Sequence, residues 1–532
     1  MAGMPDEVIQ KFVENLDLHV GKFALKQLKS FGDEINQIEL STDLVESHAS
    51  VWLRSVRVAQ ELKRRGIGLN DKLVICAHTH NDVSIPILAG LYIGCATFPF
   101  SMTMTKTEVK NMLVIGKPSI VFCDPEIAQT FSEALAELNY EAEVVVFGEE
   151  PLDGPFVPFA DFLQPTGTED AFEVTELDPS KTVAFISCSS GTTGMPKGVC
   201  HTHKTFGLGF FFLSRIRSPN QGKPTYLSFS SVYWVSGLYN IMMSAFTGII
   251  RINCKIPYSV DILEKGLNEY KPQMIMISPV AMCQLVKHPK FLELDWSSIK
   301  TFLVAASPVS PDVVAKIQKQ IPNGMMTNSY GMTEIGGVSV NSEGIPNSVG
   351  KIYPWIHWRV VDPETELALG PDQVGELRLK SPCLFHNYLE NPVATAEAYD
   401  EDGWYRTGDL LYFNENKHIF IVDRLKEVMK FRNFQITPAE LEFEIMKVPG
   451  VVQVAVVGRR HPEDGEHPMA FVQRMEGSTV TAQMIKDAVK NALSDTKSLR
   501  GGVVFLDNLP TTPSGKVDRK NLKKMALEVT GE

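Results

Sequence analysis

Short apolar runs with hardly a polar residue recur along the chain: KLVICAH from residue 72, PSIVFCD from 118, EVVVFG from 143, TVAFISCSS from 182, QMIMISP from 273 and TFLVAASP from 301. A strand that is apolar on both faces must be covered on both, which is the condition of parallel sheets held between helices. The intervening segments suit that covering layer. SHASVWLRSVRVAQELKRRGIG, residues 47–68, sets Val51, Leu53, Val56, Ala59 and Leu62 at helical spacing, with Ser47 as cap and Gly66 as stop. DVSIPILAGLYIGC, from residue 82, continues the apolar pattern. The expected fold class is α/β, with a large N-terminal domain of several subdomains built on layered, mostly parallel sheets.

A chain of 532 residues, 44% of them hydrophobic, exceeds one ordinary domain, so a second unit is expected beside the large one. The boundary falls near residue 424. Before it, GWYRTGDLLYFNENKHIFIVDR makes two strand-like runs around a turn at residues 414–417. After it, ITPAELEFEIMKV, VVQVAVVGRR, MAFVQRM, AQMIKDAVKNAL and GGVVFLD read as helix, strand, strand, helix and strand. About 105 residues of mixed α and β suit a small α+β C-terminal domain.

Charge and cysteine usage narrow the partners. A net charge of -12 repels nucleic-acid backbone, which is gripped by clustered Lys and Arg, yet leaves room for a small acidic ligand in a local basic pocket. The eight cysteines include no Cys-x-x-Cys pair and read as reduced thiols, neither a zinc cage nor a disulfide framework. His78/His80 and His201/His203 are His-x-His pairs without a third ligand at metal spacing, so no zinc site is expected there. Residues 224–250 are uncharged but carry Ser, Asn, Thr and Gly, which fits a buried core helix better than a membrane span, and an integral membrane protein is not expected. MAGMPDEVIQKF has acidic residues where a signal peptide needs an apolar run, and Thr530-Gly531-Glu532 is not the peroxisomal tripeptide; a cytoplasmic location is expected.

Residues 189–198 read SSGTTGMPKG, directly behind an apolar run. Walker A requires a hydroxyl after its lysine to reach Mg²⁺, whereas Lys197 is flanked by Pro196 and Gly198. Kinase and GTPase chemistry is thereby disfavoured. Small residues still let backbone N–H groups approach phosphate, and the hydroxyls and Lys197 add donors and charge. A plain flexible turn is the competing reading of the loop alone.

FISCSSGTTGMPKGVCHTH is followed in order by NSYGMTE at 328–334, GELRLKSP at 375–382, GWYRTGD at 403–409, VDRLKEVMK at 422–430 and PSGKVDRK at 513–520. This series, spread over nearly the whole chain, resembles the adenylate-forming superfamily, which includes acyl-CoA synthetases, 4-coumarate:CoA ligases and beetle luciferases. HIFIVDRLK and LRGGVVFLDNLP are most similar to the luciferase and coumarate ligase branch. The resemblance implies that a carboxylic acid and ATP give acyl-AMP and pyrophosphate. It further implies an N-terminal domain over residues 1–423, a hinge at 424–427 and a mobile C-terminal domain over 428–532 carrying the catalytic lysines.

Residue by residue, the resemblance implies that Ser189, Ser190, Gly191, Thr192, Thr193, Gly194 and Lys197 grip the β- and γ-phosphates. Ser329, Gly331 and Met332 belong to the nucleotide-binding stretch. There Tyr330 would lie on adenine, Thr333 donate to the α-phosphate and Glu334 hold Mg²⁺, a carboxylate-plus-substrate set that suits this ion. Asp409 would accept from the ribose hydroxyls with Arg424 in support, and Lys516 would reach the α-phosphate and the substrate carboxylate. In the second half-reaction, attack of the CoA thiol, Lys426 would be the hinge residue and Lys430 would enter the site after domain rotation.

Several positions depart from the family pattern. Where the family has Lys-x-x-Gly-x-Gln beside the pantetheine tunnel, this chain reads Lys430-Phe-Arg-Asn433-Phe-Gln435. Asn tolerates left-handed backbone but adds bulk where a ligand would pass. In the acid pocket, Trp234 stands where coumarate ligases and luciferases have His, Ala305 and Ala306 replace two glycines of beetle luciferases, and Gly209 and Ser236 replace an Arg and a Phe that contact beetle luciferin. The expected activity is that of an AMP-forming acyl-CoA synthetase using Mg²⁺, ATP and CoA. The alternative is an insect luciferase-type monooxygenase that adenylates a luciferin other than the beetle one and oxidises it with O₂.

Overall fold

The computed structural model describes residues 18–148, 153–189, 197–216, 224–305, 309, 311–432, 434–512 and 516–529. Among these residues the strands form sheets of nine, eight, five and four strands. The eight-stranded sheet runs through Asn387–Tyr388, Lys197–Thr202, Val183–Ser189, Ala96–Pro99, Lys72–Cys76, Ile120–Cys123, Glu143–Val146 and Phe156–Pro158, in that spatial order. Its pairs are parallel from Val183–Ser189 onward and antiparallel at the other edge. Alternate residues of one strand enter different cores. Leu73 and Ile75 join one cluster with Val56, Leu62 and Leu91, whereas Val74 and Cys76 join another with Val109 and Phe131. Both faces are dry, as the apolar runs require.

The nine-stranded sheet is parallel at its centre, where Ile250–Asn253, Thr225–Ser228, Met274–Met276, Thr301–Val304 and Met325–Met332 lie side by side. One of its faces, through Leu227, Ile252, Ile275 and Phe302, packs on helices. Tyr226, Met274, Met276 and Leu303 instead line a cleft. The four-stranded sheet differs from the mostly parallel expectation: His357–Val361, Gly375–Lys380, Tyr405–Phe413 and Ile419–Arg424 are antiparallel throughout. Short turns such as Asn414–Lys417, with Lys417 at φ 62°, permit hairpins where parallel strands need long crossovers.

Local signals explain the helices. Ser47 accepts from the Ser50 N–H at 3.2 Å and caps His48–Arg64. DVSIPILAGLYIGC contains the helix Ser84–Ile93 rather than another strand. Every residue of that helix is buried, so it has no polar face to reveal its period, and Pro86 falls in the first turn, where it is tolerated. The uncharged 224–250 segment contains the helix Val235–Thr247, and no helix among the described residues is long and apolar enough to cross a membrane.

The C-terminal sheet, centred on Val451–His461 and Gly465–Arg474, is again buried on both sides. Val456, Ala470 and Val472 pack with the helices Pro438–Met446 and Ala482–Ala492; Val457, Met469 and Phe471 pack with Leu522 and Ala526 of Arg519–Glu528. The fold is thus α/β, a large N-terminal part followed by a small C-terminal domain. All eight cysteines are free thiols.

Candidate active site

A cleft of about 3760 Å³ lies between the open face of the nine-stranded sheet, the four-stranded sheet and the small domain. Its floor is shaped by the hairpin of Met325–Met332 and Gly336–Val340. The hairpin closes tightly because Gly336 takes φ 81° and because a Cβ on Gly331 would stand 2.4 Å from the Gly336 carbonyl oxygen. Its tip holds Thr333 and Glu334. His201 Nε2 donates to the Thr333 carbonyl at 2.7 Å, and the Phe385 N–H donates to the Glu334 carbonyl at 2.7 Å, so neighbouring strands fix the tip from both sides. Burial pushes the His201 pKa down to about 4, keeping the ring neutral in this role.

The Glu334 carboxyl is buried and accepts from the Tyr388 hydroxyl at 2.9 Å. Burial raises its pKa above the ordinary glutamate range, with the Tyr388 hydrogen bond opposing. Such a carboxylate gains from a cation beside it. The Lys197 ammonium lies 4.6 Å from the centre of the Tyr388 ring. Ser189 and Lys197 face each other at the ends of two antiparallel strands, and both line the same cleft as Glu334.

A second carboxylate sits on the four-stranded sheet. Asp409 and Arg424 are cross-strand partners, and Arg424 Nε meets Asp409 Oδ1 at 2.5 Å. The Tyr330 hydroxyl donates to Asp409 Oδ2, and its ring is buried beside Ile335 and Val338. Gly408, at φ 68°, turns the strand just before Asp409, and its N–H donates to Glu376 Oε1 at 3.1 Å. Burial raises the Asp409 pKa, while Arg424 and Tyr330 pull it down. Ser329 Oγ donates to the Ser339 carbonyl at 3.1 Å, and Gly331 and Met332 line the cleft beside it.

The small domain delivers Lys516 into this cleft. The Thr512 N–H donates to the Lys516 carbonyl at 2.7 Å, and the Lys516 side chain lines the cleft. The Lys516 ammonium lies 5.8 Å from the centre of the Trp234 ring. Burial, and next the positive Arg424, lower its pKa from the ordinary lysine range; Asp409 and Glu334 oppose that shift. Lys430 is not brought here: it is exposed on Met429–Phe431, where its N–H donates to Glu466 Oε2 at 3.2 Å. Lys426 lies in the turn Leu425–Glu427 on the cleft rim.

The pocket beyond Trp234 is narrowed by Tyr239, whose hydroxyl would stand 2.9 Å from a Cβ on Gly209 and 2.4 Å from one on Gly336. Ser236 Oγ pairs with Ser230 Oγ at 2.7 Å, and Ala305 lines the same cleft. Ser190, Gly191, Thr192, Thr193, Gly194, Ala306 and Asn433 lie outside the described residues. Tyr388 and Tyr239 were absent from the sequence reading; nothing in their local sequence marks them. His201 was visible only as half of a His-x-His pair, and its partner His203 instead meets His19 edge to face with ring centres 4.9 Å apart.

Known proteins share this arrangement of sequence. The family model described as AMP-binding enzyme matches residues 33–389, and that of the AMP-binding enzyme C-terminal domain matches 440–516. Luciferin 4-monooxygenase of Photinus pyralis is 30% identical, covering 91% of this chain and 89% of its own. 4-Coumarate–CoA ligase 3 of Arabidopsis thaliana is 28% identical, covering 96% of this chain and 91% of its own. The solved luciferase-like enzyme from the nonluminescent mealworm Zophobas morio is 28% identical, covers 77% of this chain and 96% of its own, and superposes with a TM-score of 0.71. A cleft walled by the glycine-rich strand pair, the YGMTE hairpin and the Asp409–Arg424 corner, matched over both of its domains, places the chain in the AMP-binding enzyme family of adenylate-forming enzymes.

Proposed function

We propose that this protein is an AMP-forming acid–CoA ligase. In the first step a carboxylate oxygen attacks the α-phosphorus of ATP, the bond to the β-phosphate oxygen breaks, and pyrophosphate leaves with acyl-AMP formed. In the second, the CoA sulfur attacks the acyl carbon, the bond to AMP breaks, and the thiol proton passes to solvent. The observation that carries the first step is the placing of one ammonium, Lys516, within the electrostatic reach of Glu334, Asp409 and Arg424 in a single cleft. Fixed positive groups beside a phosphorus gaining negative charge stabilise the transition state without reorganising solvent.

In this reading Asp409 accepts from the ribose, with Arg424 fixing its orientation, and Thr333 donates to the α-phosphate. Ser189 and Lys197 flank the loop Ser190–Gly194 that grips the outer phosphates. Tyr330, Ser329, Gly331 and Met332 frame the base. The buried carboxylate of Glu334, already raised in pKa, fits an Mg²⁺ ion that would neutralise phosphate charge. Ala305, Ala306, Gly209 and Ser236 shape the acid pocket with Trp234. Residues 1–423 act as one body and 428–532 as the other, turning about 424–427 with Lys426 in the hinge, so that Lys430 replaces Lys516 for the thioester step beside Asn433.

Relatives named both as CoA ligase and as luciferin monooxygenase stand at similar identity. A luciferin-type monooxygenase is therefore the second reading, favoured by the similarity to Photinus pyralis. The luciferase-like relative comes from a nonluminescent animal, so likeness to a luciferase does not by itself argue for light emission. The deciding experiment screens short, medium, long and aryl acids for pyrophosphate release, with CoA consumption and light read in parallel. CoA consumption without light supports the ligase. Light with one acid supports the monooxygenase, and no pyrophosphate with any acid sinks both.

A further inference from the structure

The turn joining the two central strands of the C-terminal sheet reads His461-Pro-Glu-Asp464-Gly-Glu-His467. Gly465, at φ 85°, folds it back so that three donors converge on one point. His467 Nε2 lies 2.8 Å from Asp464 Oδ2, and His461 Nδ1 lies 3.6 Å from the same oxygen. The two rings are stacked with centres 4.1 Å apart. Ligands of a tetrahedral zinc-type ion, each about 2.1 Å from the metal, stand about 3.4 Å from one another. The two measured separations bracket that spacing, and one ligand atom from each of the three residues fits within 4.8 Å of the others.

The atoms that would hold an ion are hydrogen-bonded to one another or to nearby backbone, and an ion would replace those bonds. His461 Nδ1 accepts from the N–H groups of Glu463 and Asp464 at 3.4 and 3.2 Å, which marks it as the unprotonated nitrogen of the ring, held by long bonds that an ion would displace. Asp464 divides its oxygens: Oδ1 accepts from Arg432 Nε at 2.5 Å, and Oδ2 accepts from His467 Nε2 at 2.8 Å, the bond an ion between them would replace. The site needs no long-range closure, since its three donors lie within seven consecutive residues. We propose that His461, Asp464 and His467 bind one divalent first-row transition ion of the zinc class, with solvent completing its coordination. Two imidazoles among three donors select such an ion over Mg²⁺ or Ca²⁺, which prefer oxygen.

Binding has a structural consequence nearby. The Arg432 N–H donates to the Asp464 carbonyl at 2.9 Å, and Phe431 pairs with Gly465 across the strands, so this turn is the platform of the Met429–Ile436 hairpin. A cation on Oδ2 fixes the carboxylate that holds Arg432 and stiffens the hairpin. The reading is independent of the reaction proposed for the cleft.

The test titrates chelator-stripped full-length protein with Co²⁺ in the absence of nucleotide, following its visible absorption, and then displaces it with Zn²⁺. One equivalent should bind at micromolar free metal and resist excess Mg²⁺. His461→Gln and His467→Gln, each confirmed folded by its melting curve, should each weaken binding by at least about 100-fold. In wild-type protein, Zn²⁺ should slow hydrogen exchange at the Arg432 amide. Absence of a micromolar equivalent, its survival in both variants, or unchanged exchange at Arg432 would overturn the assignment.

Discussion

Two lysines on the small domain stand in opposite surroundings. Lys516 is half-buried in the cleft over an indole, with its pKa lowered by burial and by Arg424. Lys430 is exposed on a strand edge, with only its backbone engaged by Glu466. A side chain removed from water without a direct carboxylate partner is costly to hold unless something in the site uses its charge. The contrast teaches that the cleft as it stands holds Lys516 and not Lys430, so that on the proposed reading any work by Lys430 requires another placement of the small domain.

The largest effect separates the two lysines. Lys516→Ala should lower pyrophosphate release about 10²- to 10³-fold while leaving the reaction of supplied acyl adenylate with CoA largely intact. Lys430→Ala should do the reverse. Equal losses in both assays for either variant would break the comparison and remove the division of labour.

A smaller effect sharpens it through pH. Because the Lys516 pKa is lowered, its ammonium loses its proton at a lower pH than a solvated lysine does. Pyrophosphate release should therefore fall on the alkaline side earlier than an exposed lysine would dictate, and Lys516→Arg should move that fall to higher pH. The measurement is the pH profile of kcat for both proteins; coincident alkaline limbs would show that another group sets the limb.

The smallest expected change concerns Asn433, near Lys430. If its amide obstructs pantetheine, Asn433→Gly should raise thioester formation a few-fold with pyrophosphate release unchanged. An unchanged thioester rate would show that Asn is accommodated there as readily as Gly.

The sheet strands were legible in the sequence because two-sided burial leaves uninterrupted apolar runs, as in Leu73 to Cys76. The helix at 48–64 was legible because one face is polar and Ser47 caps it. Ser84–Ile93 was not, since a helix buried all round carries no period. The motif series named Thr333, Glu334, Asp409, Arg424 and Lys516, and the structure brings these to one cleft. What the sequence withheld is pairing across the fold: Tyr388 on Glu334, Tyr330 on Asp409 and the Tyr239 hydroxyl between Gly209 and Gly336. These contacts arise from strand register and sheet-to-sheet packing, which single-chain periodicity does not encode. The His461–His467 turn is different: its His-x-x-Asp-x-x-His spacing is plain in the sequence, but only the fold-back at Gly465 brings the three side chains together.

The perch of Lys516 on Trp234 has a further meaning. At 5.8 Å from the ring centre the attraction is near the outer limit of a cation–π contact and is worth about 0.5–1 kcal/mol. That is about one to two times the thermal energy, a slight bias in position that is far too little to compete with an anionic oxygen. If Lys516 acts as proposed, the indole is a parking place from which an arriving carboxylate or phosphate lifts the charge almost without resistance, and to which the lysine can return when the anion has gone.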